Sequence, residues 1–282
     1  MQVQSLHIYP VKGARGIDVE KGALNYRGFQ HDRRWVITDD AGEFLSQRST
    51  PELARIVTKQ TSDGLRLETA DGGDGVDLRL AENGARRTIK VWRDEIDARV
   101  GDRAATDWLS GLLGRPAELY FMDDAATRNT SGVWGPARPL AFSDAYPVLL
   151  ITAASLNALN EEIVRQSGDP VPMTRFRPNI VIDGSEPWGD DFWKVIKVGN
   201  VIFDLVKPCD RCVVTTTDQA TGERMGKEPL KSLANIRRST DPRVNGVLFG
   251  SNAVPRNEGD ISVGDTVEVI EERPEGWSIA PS

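Results

Sequence analysis

The sequence predicts a mostly β protein with a few helices, folded as a β-barrel or as an α+β structure. From Gln2 to about Val100, short segments with alternating apolar positions or β-branched residues are separated by turn residues. No helical pattern long enough for a crossover lies between consecutive segments, which argues against βαβ units in this part of the chain. The 282 residues, 39% of them hydrophobic, suffice for two ordinary domains or one large β fold.

Seven segments in the first hundred residues carry the pattern of strands. They are Val3 to Ile8, Ile17 to Leu24, Trp35 to Thr38, Ile56 to Lys59, Leu65 to Glu68, Val76 to Leu80 and Ile89 to Val91. Asp39 to Gly42 is rich in turn-forming residues and predicts a hairpin.

Helices are predicted at three places. Arg103 to Leu113 has one apolar stripe, with Asp102 placed to cap its start and Gly114 its end. A second helix is predicted from Thr152 to about Gln166, and a short one within Pro229 to Arg237.

Strands are predicted again in the second half. They are Pro147 to Ile151, Pro178 to Asp183, a hairpin of Val195 to Val198 with Val201 to Val206 around Gly199-Asn200, Cys212 to Thr217, and an alternating strand within Val263 to Glu271. The sequence thus predicts two β-rich units divided between Arg115 and Ala141. The segment Asp123 to Pro139, rich in Gly, Pro, Asn and Thr, is either a linker or a loop over a site.

Composition excludes several classes of function. A net charge of -7 gives no global attraction to nucleic acid or to an anionic membrane. No apolar run approaches the roughly 20 residues that cross a bilayer. With two cysteines and no secretory signal pattern near Met1, we expect a cytoplasmic protein. Dinucleotide-binding, P-loop and nucleophile-elbow motifs are absent from the sequence.

The most informative stretch is Lys207 to Asp218, which contains the pair Cys209 and Cys212. Such a pair is compatible with a redox motif, half of a zinc site, or two structural thiols. A thioredoxin-type motif needs a helix after the first cysteine, and the β-branched residues that follow favour a strand. The stretch from Lys207 to Arg238 contains seven basic and four acidic residues. Cations beside a thiolate favour its ionised form and suit a metal held by an anionic organic cofactor.

Other stretches are candidate local anion sites. Arg175 and Arg177 lie two residues apart before a strand, which would place both guanidiniums on one side of an extended segment. Lys12 follows the first strand beside Gly13, and Arg33 follows the adjacent His31-Asp32 pair. That pair is discounted as an acid-base couple because neighbours on a strand face opposite ways. Taken singly, each of these charges is also compatible with a solvated surface side chain.

Together these stretches resemble the MOSC-domain proteins of the two-part type, which include the mitochondrial amidoxime-reducing component and its bacterial relatives. The residues that carry the resemblance are Tyr9 to Lys12, Asp32 to Trp35, Arg48 with Pro51, Ser143-Asp144, Phe176 to Ile182, Arg211-Cys212, Thr215-Thr216, Asp218, Lys227 to Leu230 and Val263 to Asp265. The resemblance implies an N-terminal MOSC β-barrel domain over residues 1–122 and a MOSC β-barrel domain over 123–275.

The resemblance also implies a cofactor and the residues that hold it. The chain would bind the molybdenum cofactor, a pterin dithiolene with a phosphate tail, and Cys212 would be the metal ligand. Lys12, Arg33, Arg177 and Asn179 match positions that hold the phosphate and pterin, and Asp144 matches an acid near the metal. Gly13 and Ala145 stand where eukaryotic members have hydroxyl residues, so only backbone contacts carry over there. Arg211 is assigned to the cofactor site because it is adjacent to Cys212. Arg175 is also assigned to the site, although it stands where the family usually has a small polar residue.

The activity implied by the resemblance is reduction of N-hydroxylated compounds such as amidoximes and hydroxylamines, with Cys212 and Asp144 as catalytic residues. Since the chain has no cysteines for a cluster, a separate electron donor is expected, either a flavin reductase or a ferredoxin. The alternatives are a sulfur carrier with a persulfide on Cys212, or a non-catalytic module that binds a phosphate ligand. As a family-level description only, the resemblance adds pyridoxal phosphate binding.

Overall fold

The computed structural model describes residues 1–79 and 84–280. Within these ranges the α-helices are α1 Arg103–Leu113, α2 Ala153–Arg165 and α3 Leu230–Ile236. The strands are β1 Gln2–Ile8, β2 Ile17–Val19, β3 Lys21–Asn25, β4 Gly28–Phe29, β5 Trp35–Thr38, β6 Ile56–Gln60, β7 Gly64–Thr69, β8 Gly75–Arg79, β9 Arg86–Val91, β10 Asp94–Val100, β11 Glu118–Phe121, β12 Val148–Thr152, β13 Ile180–Asp183, β14 Trp193–Val198, β15 Val201–Arg211, β16 Val247–Pro255, β17 Gly259–Ser262 and β18 Val267–Glu272. The predicted mostly β class is confirmed.

One eight-stranded sheet dominates the fold, in the order β18-β14-β15-β16-β12-β13-β1-β2. Its pairs are antiparallel except β12 with β13, which helix α2 connects. One core cluster on this sheet includes Leu6, Ile182 and Phe203, and a second cluster packs α2 and α3 through Leu159 and Leu233. Together with the sheet β17-β3-β4, these elements form what we call the large-sheet unit.

Two smaller sheets, β5-β11-β10-β9 and β6-β7-β8, form the small-sheet unit with helix α1. The segment from Val11 to Ala14 packs into its core with Trp35 and Leu53, although it follows strand β1 of the large sheet. The chain therefore crosses between the two units within its first residues. The division at residues 122 and 123 stays a prediction.

Local sequence signals placed several elements accurately. Helix α1 has the predicted bounds, with Asp102 accepting from the N–H of Ala104 (2.9 Å) and Gly114 in the left-handed conformation. The Gly199-Asn200 hairpin joins β14 to β15. The predicted strand Ile17 to Leu24 is wrong as one element, because β2 pairs with β1 and β3 pairs with β17.

The predicted strand Val76 to Leu80 corresponds to β8, but Leu80 lies outside the described residues. Among the described helices, none has both the length and the apolar character required to cross a bilayer.

Candidate functional site

Tyr9, which follows strand β1, supports the centre of the candidate site. Its hydroxyl donates to the carbonyl of Pro178 (2.9 Å), and its N–H donates to Oδ1 of Asp32 (2.7 Å). The guanidinium carbons of Arg33 and Arg177 each lie 4.4 Å from the centroid of its ring. Because the face of an aromatic ring attracts cations, Tyr9 holds together two arginines that are far apart in sequence.

Arg33 and Arg177 both have left-handed backbones, with φ of 49° and 56°. Arg33 is neutralised in part by a hydrogen-bonded ion pair with the buried Asp32. Arg177 instead donates to the neutral Oε1 of Gln219 (3.0 Å), and no carboxylate of the described residues lies within 4.0 Å of it. Burial, and then the positive charge of Arg33, lower the pKa of Arg177 to about 10. A bound anion would relieve that cost.

Lys12 and Asp144 form an ion pair beside the arginines. The Lys12 ammonium also donates to the carbonyl of Phe142 (2.8 Å) and lies 5.3 Å from the centroid of Phe44. Burial lowers the pKa of Lys12, although Asp144 opposes this shift. Burial by itself would raise the pKa of Asp144, but the charge and hydrogen bond of Lys12 and a 3.2 Å hydrogen bond from Trp92 hold it well below its usual range.

These groups lie together where the two units meet, a region that we call the cleft. The side chain of Lys12 is 8% exposed, whereas that of Asp144 is 71% exposed. Three cations, Lys12, Arg33 and Arg177, meet two acids, Asp32 and Asp144, so the cluster carries a net positive charge. Lys12 follows Val11 of the small-sheet core, and Arg177 precedes strand β13 of the large sheet. Arg33 and Asp144 lie in segments that connect the units, between β4 and β5 and between β11 and β12. The cleft can therefore bind an anion that touches both units.

Asn179, Gly13 and Ala145 lie at the edges of this cluster. Asn179 is 1% exposed; its Oδ1 accepts from the N–H of Leu149 (3.1 Å) and from Arg33 (3.2 Å), and its Nδ2 donates to the carbonyl of His7 (3.1 Å). The buried Asn179 therefore helps to orient the guanidinium of Arg33. Gly13 has φ of 86°, and a Cβ there would lie 2.9 Å from Leu53 Cδ1. Ala145 is half-buried directly after Asp144.

The predicted strand from Cys212 to Thr217 is wrong. Strand β15 ends at Arg211, and Val213–Thr216 forms a 3₁₀ helix that Cys212 precedes. The hydroxyl of Thr215 donates to the carbonyl of Cys212 (2.9 Å), and that of Thr216 to the carbonyl of Val213 (2.8 Å). These local hydrogen bonds stabilise the turn against the strand preference of β-branched residues.

Cys209 and Cys212 are both free thiols and half-buried. Arg211 donates from Nη1 to the sulfur of Cys209 (2.8 Å) and from Nη2 to the carbonyl of Phe176. The arginine that adjacency assigned to Cys212 thus contacts the other thiol. Cys212 begins the segment that leads to Gln219, which contacts Arg177.

Arg175 and Arg177 do not lie side by side on an extended segment as predicted. Met173–Phe176 is a 3₁₀ helix, and Arg177 follows it in the left-handed conformation, so the two side chains diverge. Arg175 is 5% exposed, donates to the carbonyl of Thr216 (2.8 Å) and lies 3.6 Å from Asp218. It fastens the segment that follows Cys212.

Sequence reasoning missed three residues of the cleft. Trp92 donates to Asp144, Gln219 accepts from Arg177, and Gln47 donates to the carbonyl of Gly13 (2.6 Å). Glutamine in a loop carries no motif, and Trp92 belongs to a hairpin whose position beside Asp144 depends on the tertiary fold. The segment Asp123 to Pro139 places Trp134 against Trp277, with ring centroids 5.9 Å apart.

The donor set fits an anionic cofactor that carries its own metal. In residues 1–79 and 84–280, no cluster of three or more His, Cys, Asp or Glu side chains could hold an ion by itself. Buried Nε atoms of Arg175 and Arg211 and the hydroxyl of Thr217, all around the segment after Cys212, have no hydrogen-bond partner among the described groups. A half-buried cysteine, surplus cations and polar groups without partners match a ligand with a soft metal and a phosphate.

The fold and this cleft define a two-part β protein with a cationic site between its parts. Residues 1–116 match the family described as the MOSC N-terminal beta barrel domain, and residues 137–268 match the MOSC domain. The chain belongs to the MOSC proteins with an N-terminal β-barrel domain.

Relatives with established names point to two activities. Mitochondrial amidoxime-reducing component 1 of Homo sapiens is 31% identical over 283 residues, with 95% of this chain and 82% of that protein covered. The molybdenum cofactor sulfurase of Oryza sativa subsp. japonica is 30% identical over 286 residues, and the match covers 95% of this chain but 35% of that protein. This chain therefore spans about a third of the sulfurase.

Similarity to solved structures is weaker. The YUAD protein of Bacillus subtilis aligns over 94% of this chain and 93% of that chain, with a TM-score of 0.40 and 8% identity. A Bordetella bronchiseptica protein with a solution structure aligns over 36% of this chain and 85% of that chain, with a TM-score of 0.30 and 21% identity. Neither similarity carries an argument about function.

Proposed function

We propose that this protein binds the molybdenum cofactor in the cleft between its two units and reduces N-hydroxylated compounds. The observation that carries the proposal is the clustering of Lys12, Arg33 and Arg177 where the two units meet, in a chain whose net charge is -7. These cations would hold the cofactor's phosphate and pterin, and Cys212 would ligate its metal. The amidoxime-reducing relative, 31% identical over 95% of this chain, supports the same assignment.

When bound, the cofactor supplies two-electron redox chemistry at molybdenum, which suits conversion of an amidoxime to an amidine and water. Around the cofactor, Asp144 and Lys12 would supply a hydrogen-bond acceptor and a hydrogen-bond donor. Because its pKa is held well below the usual range, Asp144 is ionised at neutral pH and accepts hydrogen bonds. Lys12 is the donor held against it, and burial lowers the pKa of its ammonium group.

Metal content and turnover test the proposal together. Protein from a host that synthesises the cofactor should contain molybdenum and pterin and should reduce benzamidoxime when electrons are supplied. Cys212→Ala should abolish turnover while the far-UV circular dichroism stays unchanged. Cys209→Ala is the matched control and should retain the metal. Full activity of Cys212→Ala, or wild-type protein without molybdenum, would refute the assignment.

We propose that electrons come from a separate cytoplasmic donor, either a flavin reductase or a ferredoxin. The proposal follows from the cysteine count, since two cysteines cannot hold an iron-sulfur cluster. Benzamidoxime reduction should require both NADH and an added flavin reductase, or a reduced ferredoxin. Turnover by the purified protein with NADH alone would contradict a separate donor.

A second candidate function is supported by the match to a molybdenum cofactor sulfurase. In that case Cys212, which is partly accessible, would carry a persulfide and deliver sulfur. Intact-mass analysis before and after treatment with a reductant separates the two functions. A persulfide predicts loss of one sulfur atom on reduction and no bound molybdenum. The metal-ligand role predicts an unchanged mass on reduction and bound molybdenum.

A further inference from the structure

Gln47 and Gln219 form a reciprocal amide pair between the two units. Nε2 of Gln47 donates to Oε1 of Gln219 (3.0 Å), and Nε2 of Gln219 donates to Oε1 of Gln47 (2.9 Å). The two residues are 172 positions apart and only 2% and 7% exposed. Amide groups buried this deeply are stabilising only when their polar atoms are paired, and two hydrogen bonds here join the amides to each other.

Each amide of the pair also contacts a group of the cleft. Oε1 of Gln219 accepts a second hydrogen bond from Nη1 of Arg177 (3.0 Å). Nε2 of Gln47 donates its second proton to the carbonyl of Gly13 (2.6 Å), directly after Lys12. The remaining proton of Gln219 goes to the carbonyl of Thr217 (3.2 Å). All four amide protons of the pair are therefore used, which fixes the orientation of both side chains.

The backbones that carry the pair are also held across the interface. Nε of Arg15 donates to the carbonyl of Gln219 (3.0 Å), and Nη2 of Arg224 donates to the carbonyl of Gln47 (2.8 Å). An arginine on each side of the interface thus donates to a backbone carbonyl on the other side. A change in the docking of the units would break these contacts and release Arg177 together with the Lys12-Gly13 turn.

We propose that the Gln47–Gln219 pair is a positioning element that couples docking of the two units to anion binding in the cleft. The inference rests on the anion-binding role in the proposed function. A neutral amide oxygen orients the Arg177 guanidinium without neutralising it, whereas a carboxylate would consume the charge that the ligand needs. The pair therefore keeps Arg177 oriented and fully charged, at a fixed separation from the Lys12-Gly13 turn.

Calorimetric titration of cofactor-free protein with inorganic pyrophosphate tests this role. Gln219→Ala and Gln47→Ala are each expected to bind about tenfold more weakly than the wild type. The double variant should bind no more weakly than Gln219→Ala, because the two side chains act as one unit. In an Arg177→Ala background, Gln219→Ala should cause little further loss, which a general loss of structure would not produce.

Two further variants separate positioning from stability. Asn160→Ala removes an amide that makes two hydrogen bonds to the backbone of Val171, at 2.8 and 3.0 Å, away from the cleft. It should lower the urea midpoint without changing pyrophosphate affinity. Gln219→Glu keeps an acceptor for Arg177 but neutralises it, so it should weaken binding more than Gln219→Ala does.

The outcomes distinguish this role from the proposed function. Wild-type protein that does not bind pyrophosphate overturns the anion site and, with it, the positioning role. Wild-type binding with unchanged affinity in Gln219→Ala and Gln47→Ala overturns the positioning role alone and leaves the cofactor proposal standing.

Discussion

Replacing Asp144 with alanine should destabilise the fold more than replacing its buried partner Lys12 with methionine. The reason is the location of the two charges, since 8% of the Lys12 side chain is exposed and 71% of that of Asp144. Removing the carboxylate leaves a buried ammonium without its counter-charge. Removing the ammonium leaves a carboxylate that water reaches and that Trp92 still hydrogen-bonds.

The expected magnitudes follow from the contacts that remain. Loss of one partner from a buried ion pair costs about 3–5 kcal/mol. In Asp144→Ala, Lys12 retains its hydrogen bond to Phe142 and the ring of Phe44, and the cleft admits water, so we expect about 2 kcal/mol. In Lys12→Met, the side chain still packs against aromatic rings, and the lost hydrogen bond costs about 1 kcal/mol or less.

Urea unfolding of cofactor-free protein at about pH 7 and about pH 9.5 measures both effects. The folded-state pKa of Lys12 is lower than in the unfolded chain, so between the two values the unfolded chain binds more protons and stability rises with pH. The deficit of Asp144→Ala should therefore shrink at the higher pH and disappear in the double variant with Lys12→Met. A deficit independent of pH, or a larger deficit for Lys12→Met alone, would refute the reasoning.

Two other expectations concern groups away from the cleft. Burial, and then the charge of Asp191, raise the pKa of Asp190 to about 6. The stability that the protonated carboxyl contributes is complete below about pH 4 and is lost as pH rises through about 6. In urea titrations, Asp190→Asn should therefore be more stable than the wild type by up to about 3 kcal/mol at about pH 8, and equally stable near pH 4. Wild-type protein that is the more stable at about pH 8 would contradict this. Gly28→Ala should cost about 2 kcal/mol or more in thermal unfolding, because φ is 108° and the new Cβ would lie 2.6 Å from the carbonyl oxygen of Pro147. Gly111→Ala, in helix α1 where a Cβ meets nothing within 4 Å, is its control and should stabilise by about 0.5–1 kcal/mol; equal effects at the two glycines would rule out the steric explanation.

Elements with local signals could be predicted from the sequence. Helix α1 has its cap at Asp102 and its left-handed end at Gly114, and the β14–β15 hairpin has its turn at Gly199-Asn200. Pairing between distant segments has no such signal. The hydrogen bond from Tyr9 to the carbonyl of Pro178 spans 169 residues, and no periodicity near either residue indicates it.

The residues of the candidate site were predictable through the family resemblance, because each charge taken singly is also compatible with a surface side chain. Lys12, Arg33, Arg177 and Asp144 were identified from the sequence, and the structure brings them together. Their supports could not be identified, because Gln47 and Gln219 become informative only when the units dock. Propensity failed where threonine hydroxyls form local hydrogen bonds, which turn the segment after Cys212 into a 3₁₀ helix.

X-ray absorption at the molybdenum edge tests the central claim most directly. Protein purified from a cofactor-producing host should contain molybdenum, and the wild type should show one more sulfur neighbour than Cys212→Ala, while Cys209→Ala should match the wild type. Equal sulfur counts in the wild type and Cys212→Ala would contradict the assignment of this thiol as the metal ligand.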